Sequence, residues 1–244
     1  PRGATIDKDG ILWLCGDKNY IFRYDPITGV GTQTPIFRTG TLETESNAFN
    51  VTAAEDGNLY FGTYPNAHIV KYDPVSRTFT DFGKPVESTA RVHCCEYKNG
   101  YIYAAAHGNG VHKIVKMNAN TGEVLQRLDI AEQMGDVEFL WNLDFAGENV
   151  MFGCGNHLEK MIALDISGEE MKLIEIEGLP NSFNGAVSSE MNGKAYMMSV
   201  TGQGLLEYDV ATRTVTETGI AVGTPDGADS GELTCRAGIG TGGW

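Results

Sequence analysis

Short stretches in which apolar and polar residues alternate recur along the chain, and each begins with a glycine beside a polar or acidic residue. The five copies are DGILWLCG (9–16), DGNLYFGT (56–63), NGYIYAAA (99–106), GENVMFGC (147–154) and NGKAYMMS (192–199). They start at intervals of 47, 43, 48 and 45 residues. A period of about 20 to 50 residues is typical of repeat architectures, and the alternation within each copy predicts a β-strand.

A second motif follows each of these strands with the same period. Its copies are YDPITG (24–29), YDPVSR (72–77), MNANTG (117–122), LDISGE (164–169) and YDVATR (208–213). They lie 48, 45, 47 and 44 residues apart. Asp-Pro-x-x-Gly favours a type I turn, and Asp-Gly or Asn-Gly favours a tight hairpin. Helical periodicity competes only marginally, over DIAEQMG (129–135).

Each repeat divides into four predicted strands, most clearly in the second copy. These strands are 49–54, 58–63, 69–73 and 78–83. Four antiparallel strands in a repeat of about 45 residues are typical of a β-propeller, because one blade alone cannot bury both of its faces. The predicted fold class is therefore an all-β β-propeller of four-stranded antiparallel blades.

We predict one propeller domain over residues 1–244, with five complete blades and part of a sixth. Their approximate bounds are 2–37, 38–88, 89–135, 136–180, 181–224 and, for the partial blade, 225–244. The last segment contains LTCRAGIG, which either begins another blade or completes the first across the seam of a ring. The chain is then a closed five-bladed ring or a fragment of a larger, commonly seven-bladed, propeller. Its first residue, Pro1, favours a start inside a longer protein or after processing.

The net charge of −14 argues against nucleic acid and anionic membranes as partners, because both need clustered Lys and Arg. An anionic small ligand remains compatible, since a local Arg or His cluster can act against the global field. No apolar run approaches the roughly 18 residues of a membrane helix. The five cysteines have no regular spacing, so we predict buried thiols rather than a disulfide framework or a zinc ribbon.

Repeats with GTYP after the second strand and YDP after the third, as in GTYPNAHIVKYDP (62–74), resemble secreted bacterial and fungal β-propellers. That group includes seven-bladed polysaccharide lyases that act on uronate-containing glycans, and rhamnosidase-type propellers. The wider superfamily includes streptogramin-lyase-like and gluconolactonase-like propellers. The resemblance implies a His as catalytic base or acid, with Arg, Tyr or Asn holding the uronate.

In a propeller, the loop after the second strand of a blade and the start of the first strand lie on one face, which commonly holds the ligand. Polar and aromatic residues concentrate in these segments. The loops carry His68, His107, His112 and His157, and the first strands carry Asn50, Arg91, His93, Trp141, Asn142 and Asn184. Arg91 and His93 are two residues apart, so they are expected on the same face of their strand.

The predicted site uses these residues for proton transfer and for holding a uronate. His93, His107 and Tyr64 are the candidate catalytic residues, because a base must remove the proton beside the carboxylate and His titrates near neutrality. Arg91 is the candidate carboxylate clamp. The other candidates for substrate contact are Asn50, Asn66, His68, Trp141, Asn142, His157 and Asn184. Each has a structural alternative: bonding within its loop, bonding to the next blade or, for Trp141, core packing.

The leading functional hypothesis is a carbohydrate-directed propeller, either a lyase or a glycosidase, that acts on acidic, uronate-containing oligosaccharides. One alternative is a non-catalytic scaffold that binds a protein or a glycan. Another is a metal-dependent, lactonase-like hydrolase that uses the loop histidines, although no metal ligand is assigned. No Walker loop, Rossmann fingerprint or Gly-x-Ser-x-Gly elbow occurs, so no cofactor is predicted.

Two indications about the compartment disagree, and neither decides it. The resemblance implies secretion or the periplasm. Unpaired cysteines instead favour a reducing environment. The oligomeric state is not predicted, and the expected partner is a carbohydrate or another small ligand at one face of the propeller.

Overall fold

The structure is a computed structural model, and it describes residues 3–16, 20–36, 40–135, 138–155, 161–179, 187–198 and 204–221. Across these ranges the chain forms nineteen β-strands, one 3-10 turn and one α-helix of four residues. The all-β prediction is confirmed. Within the same ranges, no helix has the length and apolar character to cross a membrane.

The strands form antiparallel sheets, each built from strands that are consecutive in the chain. The first sheet contains β1 (Gly3–Ile6), β2 (Leu12–Cys15), β3 (Tyr20–Asp25) and β4 (Val30–Pro35). The second contains β5 (Asn47–Ala53), β6 (Leu59–Tyr64), β7 (Ile69–Asp73) and β8 (Thr78–Asp81). The third contains β9 (Arg91–Lys98), β10 (Tyr101–Gly108), β11 (Val111–Asn118) and β12 (Val124–Asp129).

Two more sheets follow. The fourth contains β13 (Leu140–Phe145), β14 (Val150–Gly155), β15 (Met161–Asp165) and β16 (Lys172–Ile174). The fifth has three strands among the described residues: β17 (Lys194–Met198), β18 (Gly204–Asp209) and β19 (Thr214–Ala221). A 3-10 turn (Gly40–Leu42) precedes the second sheet, and α1 (Ala131–Met134) follows the third. Up-and-down antiparallel sheets of four strands are propeller blades, as predicted.

The second sequence motif is an Asx turn in all five copies. In each copy an Asp or Asn Oδ1 accepts a hydrogen bond from the backbone N–H two residues further on, at 2.8 or 2.9 Å. The acceptors are Asp25, Asp73, Asn118, Asp165 and Asp209. Each ends the strand before the last strand of its sheet. The motif recurs because every blade makes the same turn at this point, and a short polar side chain stabilises it.

The described residues pack as two compact units, which divide between Phe139 and Leu140. The first unit contains the first three sheets. One buried cluster joins its first and second sheets and includes Trp13 and Phe61. Another joins the second and third sheets. Each blade in this unit is therefore stabilised by apolar packing against its neighbour rather than by a core of its own.

Close backbone contact between the second and third sheets explains a glycine on β6. A Cβ placed on Gly62 would lie 2.3 Å from Cγ1 of Val92 and 2.4 Å from the Val92 carbonyl oxygen. Both distances are far below van der Waals contact. Only a residue without a side chain allows β6 and β9 to approach this closely.

The second unit is formed by the fourth and fifth sheets. The rings of Phe152 and Tyr208 meet edge to face within its core, with centroids 5.1 Å apart. The Val187 N–H donates a hydrogen bond to the Asp144 carboxylate at 3.2 Å. Desolvation raises the pKa of Asp144 to about 7. This unit therefore contains a carboxyl group that titrates near neutral pH.

The cysteines behave as small apolar residues. Cys15, Cys94, Cys95 and Cys154 are buried free thiols. Burial raises the pKa of Cys15 to about 12, so its reactive thiolate is scarce at neutral pH. The prediction of buried thiols is confirmed for these four, and Cys235 lies outside the described residues.

Candidate functional site

The first strands of the second and third sheets carry β-bulges at equivalent places. On β5, Phe49 and Asn50 together face the single residue Gly62 of β6. On β9, the register with β10 shifts at His93. Bulges change the direction of a side chain relative to the regular alternation and are frequent beside functional sites. Here they bring Phe49 and His93 into contact.

His93 lies between aromatic rings and is 4% exposed. Its ring centroid is 4.3 Å from that of Phe49 and 4.6 Å from that of Phe139. Phe49 is also 6.2 Å from the ring of Tyr64, at the end of β6. Two predicted catalytic residues, His93 and Tyr64, therefore lie on either side of one phenylalanine.

Arg91 lies beside the same rings. Its guanidinium carbon is 4.6 Å from the ring centroid of Phe139 and 5.5 Å from that of Tyr64. An Nη atom lies 2.9 Å from the Glu138 carboxylate; the Arg91 side chain is 21% exposed and that of Glu138 is 63% exposed. The arginine is therefore held by aromatic rings, while its anionic partner extends largely into solvent.

Arg91, His107 and His112 form a row across three neighbouring strands. Arg91 on β9 is directly opposite His107 on β10, which is directly opposite His112 on β11. Directly opposed residues project from the same face of a sheet. The Nδ1 atoms of the two imidazoles are 3.0 Å apart and share a hydrogen bond.

The electrostatic surroundings keep both imidazoles neutral. His107 is fully buried. Burial lowers the pKa of His107 well below its usual range, and the positive fields of His112, His93 and Arg91 lower it further. Burial also lowers the pKa of His112, although the Asp129 carboxylate opposes this. At neutral pH the pair therefore contains two neutral rings with one proton between them.

The hairpin between β10 and β11 holds the imidazole pair in register. At its tip, Gly108, Asn109 and Gly110 have φ angles of 133°, 53° and 76°, values that Gly and Asn tolerate best. The Asn109 side chain donates a hydrogen bond from Nδ2 to the Ser88 carbonyl at 2.7 Å. This contact anchors the tip to the segment before β9.

We call Tyr64, Arg91, His93, His107 and His112 the Arg91 cluster. It brings together the three predicted catalytic residues and the predicted carboxylate clamp. All five side chains belong to the first compact unit. The arrangement offers a cation for an anionic group, aromatic faces for an apolar surface and a neutral imidazole pair for proton transfer.

Two residues of the loop GTYPNAH are bound elsewhere. His68 Nδ1 lies 3.0 and 2.9 Å from the two carboxylate oxygens of Asp81. The Asn66 backbone N–H donates to Glu45 at 3.2 Å, and its side chain donates to the Thr44 hydroxyl at 3.0 Å. For both residues the structural alternative describes these contacts: their polar groups bond within the second blade and the segment before it.

Asn50 links neighbouring blades. Its side-chain Nδ2 donates to Glu96 on β9 at 2.9 Å. Its Oδ1 accepts the N–H of Val51 at 3.0 Å. Both ends of the amide are therefore used within the protein, as the structural alternative for the first-strand asparagines describes.

The remaining predicted contacts fall outside the first unit or outside the described residues. Trp141 and Asn142 lie on β13, in the second unit, and both are partly buried. The register between β13 and β14 shifts at Trp141. His157 and Asn184 lie outside the described residues.

Sequence reasoning missed several parts of the site. Phe49, Glu138 and Phe139 contact Arg91 or His93 from other strands and segments, and nothing in their local sequence indicates this. The pairing of His107 with His112 had a signal: HGNGVH (107–112) places two histidines symmetrically around Gly-Asn-Gly. A tight hairpin at that tip makes the two side chains direct neighbours.

No metal centre is found in the described ranges. There, no group of three or more His, Cys, Asp or Glu side chains is arranged to hold a metal ion. The His107–His112 pair provides two nitrogen atoms, and structural zinc sites use four ligands. The lactonase-like alternative gains no support from these residues.

Comparison with known proteins establishes the fold. No family model and no curated protein matches the sequence. Streptogramin B lyase matches with a TM-score of 0.70 and 16% identity, over 92% of this chain and 70% of that one. A catalytically inactive histidine-to-alanine variant of virginiamycin B lyase from Staphylococcus aureus, with quinupristin, matches with a TM-score of 0.68 and 15% identity, over 92% and 71%.

Non-enzymatic propellers also match. The WD40 β-propeller domain of Doa1 gives a TM-score of 0.60 and 12% identity, over 88% of this chain and 66% of that one. Chains from a nidogen–laminin complex and a mitotic checkpoint complex are similar to this degree as well. At such identities the likeness shows the fold alone. The chain is a β-propeller, and the more specific resemblance to polysaccharide lyases and rhamnosidases stays a prediction.

Proposed function

We propose that this propeller binds a carboxylate-bearing small ligand, such as a uronate-containing oligosaccharide, at the Arg91 cluster. The observation that carries the proposal is the state of Arg91. Its guanidinium is oriented by the rings of Tyr64 and Phe139, and its carboxylate partner, Glu138, is mostly exposed. A ligand carboxylate can replace the Glu138 side chain without moving the arginine, which makes two parallel hydrogen bonds with such a group.

The surroundings of Arg91 also support a sugar-like ligand. The Tyr64 side chain is partly exposed, and aromatic rings bind the apolar face of a sugar while polar groups fix its orientation. The chain carries a net charge of −14, so binding of an anion needs a local cationic centre. Arg91 supplies that centre.

Lyase chemistry is the second candidate, and the row from Arg91 to His107 and His112 favours it. In such a step His107 accepts the proton on the carbon next to the carboxylate. The electrons of that C–H bond form a C=C bond, and the group on the next carbon leaves with its bonding electrons and takes a proton from water. Arg91 stabilises the negative charge that develops on the carboxylate. Two of the similar structures are lyases, and one is inactive without a histidine.

Binding is tested with a galacturonate trisaccharide and a neutral trisaccharide by calorimetric titration. We expect the acidic sugar alone to bind, and Arg91→Gln to weaken binding about tenfold or more, because a charged hydrogen bond contributes about 1.5–3 kcal/mol. Glu138→Gln should strengthen binding about threefold by removing an exposed competitor. The matched control is Arg23→Gln, which changes another partly exposed arginine beside a carboxylate.

Equal affinity for both sugars, or an Arg91→Gln variant that binds like the parent, would contradict the proposal and favour the scaffold alternative. The same incubations report on the second candidate. A lyase creates an unsaturated uronate with new ultraviolet absorbance, whereas a binding protein leaves the absorbance unchanged.

A further inference from the structure

The geometry points to a proton relay from the Arg91 cluster to solvent, in which His107 and His112 act as one unit and His112 is the outer member. This inference rests on the proposed function and deepens it, because it assigns a task to a histidine that is not itself the base. The relevant ligand is a carboxylate whose neighbouring C–H bond is weakly acidic.

The first support is the shared hydrogen bond. Two Nδ1 atoms at 3.0 Å require one ring to be protonated at Nδ1 and the other to accept there. The outer nitrogens, Nε2 of each ring, then have opposite states. A proton that arrives at one end of such a pair can leave from the other end without either ring moving.

The second support is a gradient of exposure along the row. Arg91 and His107 are directly opposed, and His107 is fully buried. His112 is only partly buried. A base as deep as His107 cannot exchange protons with bulk water directly. His112 is placed to connect it with solvent.

The third support is the charge around the pair. Arg91 and His93 on β9 face His107, and their positive fields disfavour a lasting positive charge on it. On the outer side, Lys113 on β11 and Asp129 on β12 form an ion pair at 2.8 Å. The Asp129 field favours positive charge on His112. A proton on the pair is therefore driven outward, from His107 towards His112.

The relay can be written with every proton accounted for. Nε2 of His107 takes the proton from the carbon next to the ligand carboxylate. The proton on Nδ1 of His107 moves to Nδ1 of His112, and His112 releases its Nε2 proton to water. The base then carries its proton on Nε2, and the reverse path restores it. His107 is the catalytic candidate, while His112 acts through it.

The first test does not need a ligand. Nitrogen-15 labelled histidine is incorporated into the protein, and long-range proton–nitrogen correlation spectra report which nitrogen of each ring is protonated. We expect one of the two rings to be protonated at Nδ1 and the other at Nε2. If both rings carry their protons on Nε2, no proton is shared and the relay is wrong.

The second test measures exchange of the ligand proton. The galacturonate trisaccharide is incubated with the protein in heavy water, and loss of the proton next to the carboxylate is followed by NMR. We expect His112→Asn and His112→Ala to slow exchange by at least about tenfold, because a positioned proton-transfer group contributes roughly 10²–10⁴. The affinity for the sugar should change less than about twofold, which shows that the site is still folded.

The two variants separate a relay from a merely structural contact. The amide introduced by His112→Asn can still accept the His107 hydrogen bond but cannot pass a proton on. Exchange at the parental rate in His112→Asn, or no exchange in the parent protein, would overturn the relay. If Arg91→Gln leaves sugar binding intact, the proposed function fails instead, and the spectra still decide whether the proton is shared.

Discussion

Asp144 shows how a single side chain can set the pH response of the second unit. Desolvation raises the pKa of Asp144 to about 7, although the Val187 N–H favours the ionised form. Ionisation therefore costs more free energy in the folded than in the unfolded chain. The stability from this group is present at low pH and is lost as the pH rises from about 4 through about 7.

We expect Asp144→Asn to stabilise the protein at pH 8 and to have little effect at pH 4. The amide keeps an oxygen for the Val187 N–H but cannot ionise. The gain should be about 1–3 kcal/mol at pH 8, because each unit of pKa shift corresponds to about 1.4 kcal/mol. Urea unfolding at both pH values measures it.

Asp73→Asn serves as the matched control. Hydrogen bonds from Ser76 and Val75 lower the pKa of Asp73, so its replacement should bring no gain at pH 8. An equal stabilisation by Asp144→Asn at pH 4 and pH 8 would show that its effect is not due to ionisation.

Individual residue types were predictable from the sequence, but their partners were not. The sequence indicated which histidines and arginines are unusual, because these residues are rare and cluster in a few segments. It did not reveal that His68 bonds to Asp81 or that Asn50 bonds to Glu96. Those partners lie on other strands, and the contacts depend on how sheets turn relative to one another.

At the scale of the strand, the contact of Gly62 with Val92 determines how closely the second and third blades pack. The obstructing atoms include the Val92 carbonyl oxygen. A backbone atom cannot adopt another rotamer to make space. Any side chain on Gly62 must therefore push β6 away from β9, where Arg91 and His93 lie.

We expect Gly62→Ala to destabilise the protein by about 1–3 kcal/mol, the usual cost of overpacking. Gly31→Ala is the control, because a Cβ there would have no atom closer than 3.8 Å. Thermal unfolding and sugar affinity should both change for the variant at Gly62 and for neither at Gly31. Equal melting temperatures for the two variants would show that β6 has room to move.

The elements that the sequence predicted best are those determined locally. The Asx turns and the Asn-Gly hairpin depend on residues within a few positions of one another, so their motifs are readable. The bulges at Phe49 and His93 depend on the register between strands. The alternation of apolar residues gives no sign of a one-residue insertion, and the site was therefore predicted as a region rather than as a set of contacts.

For the molecule as a whole, the net charge of −14 should influence how an anionic ligand approaches. Like charges repel over a distance that salt shortens to about 8 Å at physiological ionic strength. We expect the association rate of galacturonate trisaccharide to rise between about 0.01 and 0.15 M salt. Stopped-flow measurements of Tyr or Trp fluorescence test this.

The dissociation rate should respond in the opposite way to the one expected for a strengthened complex. Salt also screens the contact with Arg91, so dissociation should become faster as well. An association rate that falls with added salt would mean that the local field of Arg91, rather than the overall charge, governs the approach.

The fold followed from the sequence because five similar units had to satisfy the same physical requirement. The substrate did not, because related folds serve both streptogramin B lyase and WD40 domains. Propeller blades are scaffolds, and function depends on a few side chains placed on them.

The exposed Glu138 carboxylate has a consequence for selectivity. It is part of the chain, so it is always available to Arg91 at a high effective concentration, which for short flexible connections is of millimolar order. Small metabolic acids such as acetate must compete with this built-in anion using one carboxylate alone. Only a larger acid, which also covers the rings of Tyr64 and Phe139, has additional contacts with which to displace Glu138. An intramolecular competitor thus acts as a threshold that filters simple anions from the site.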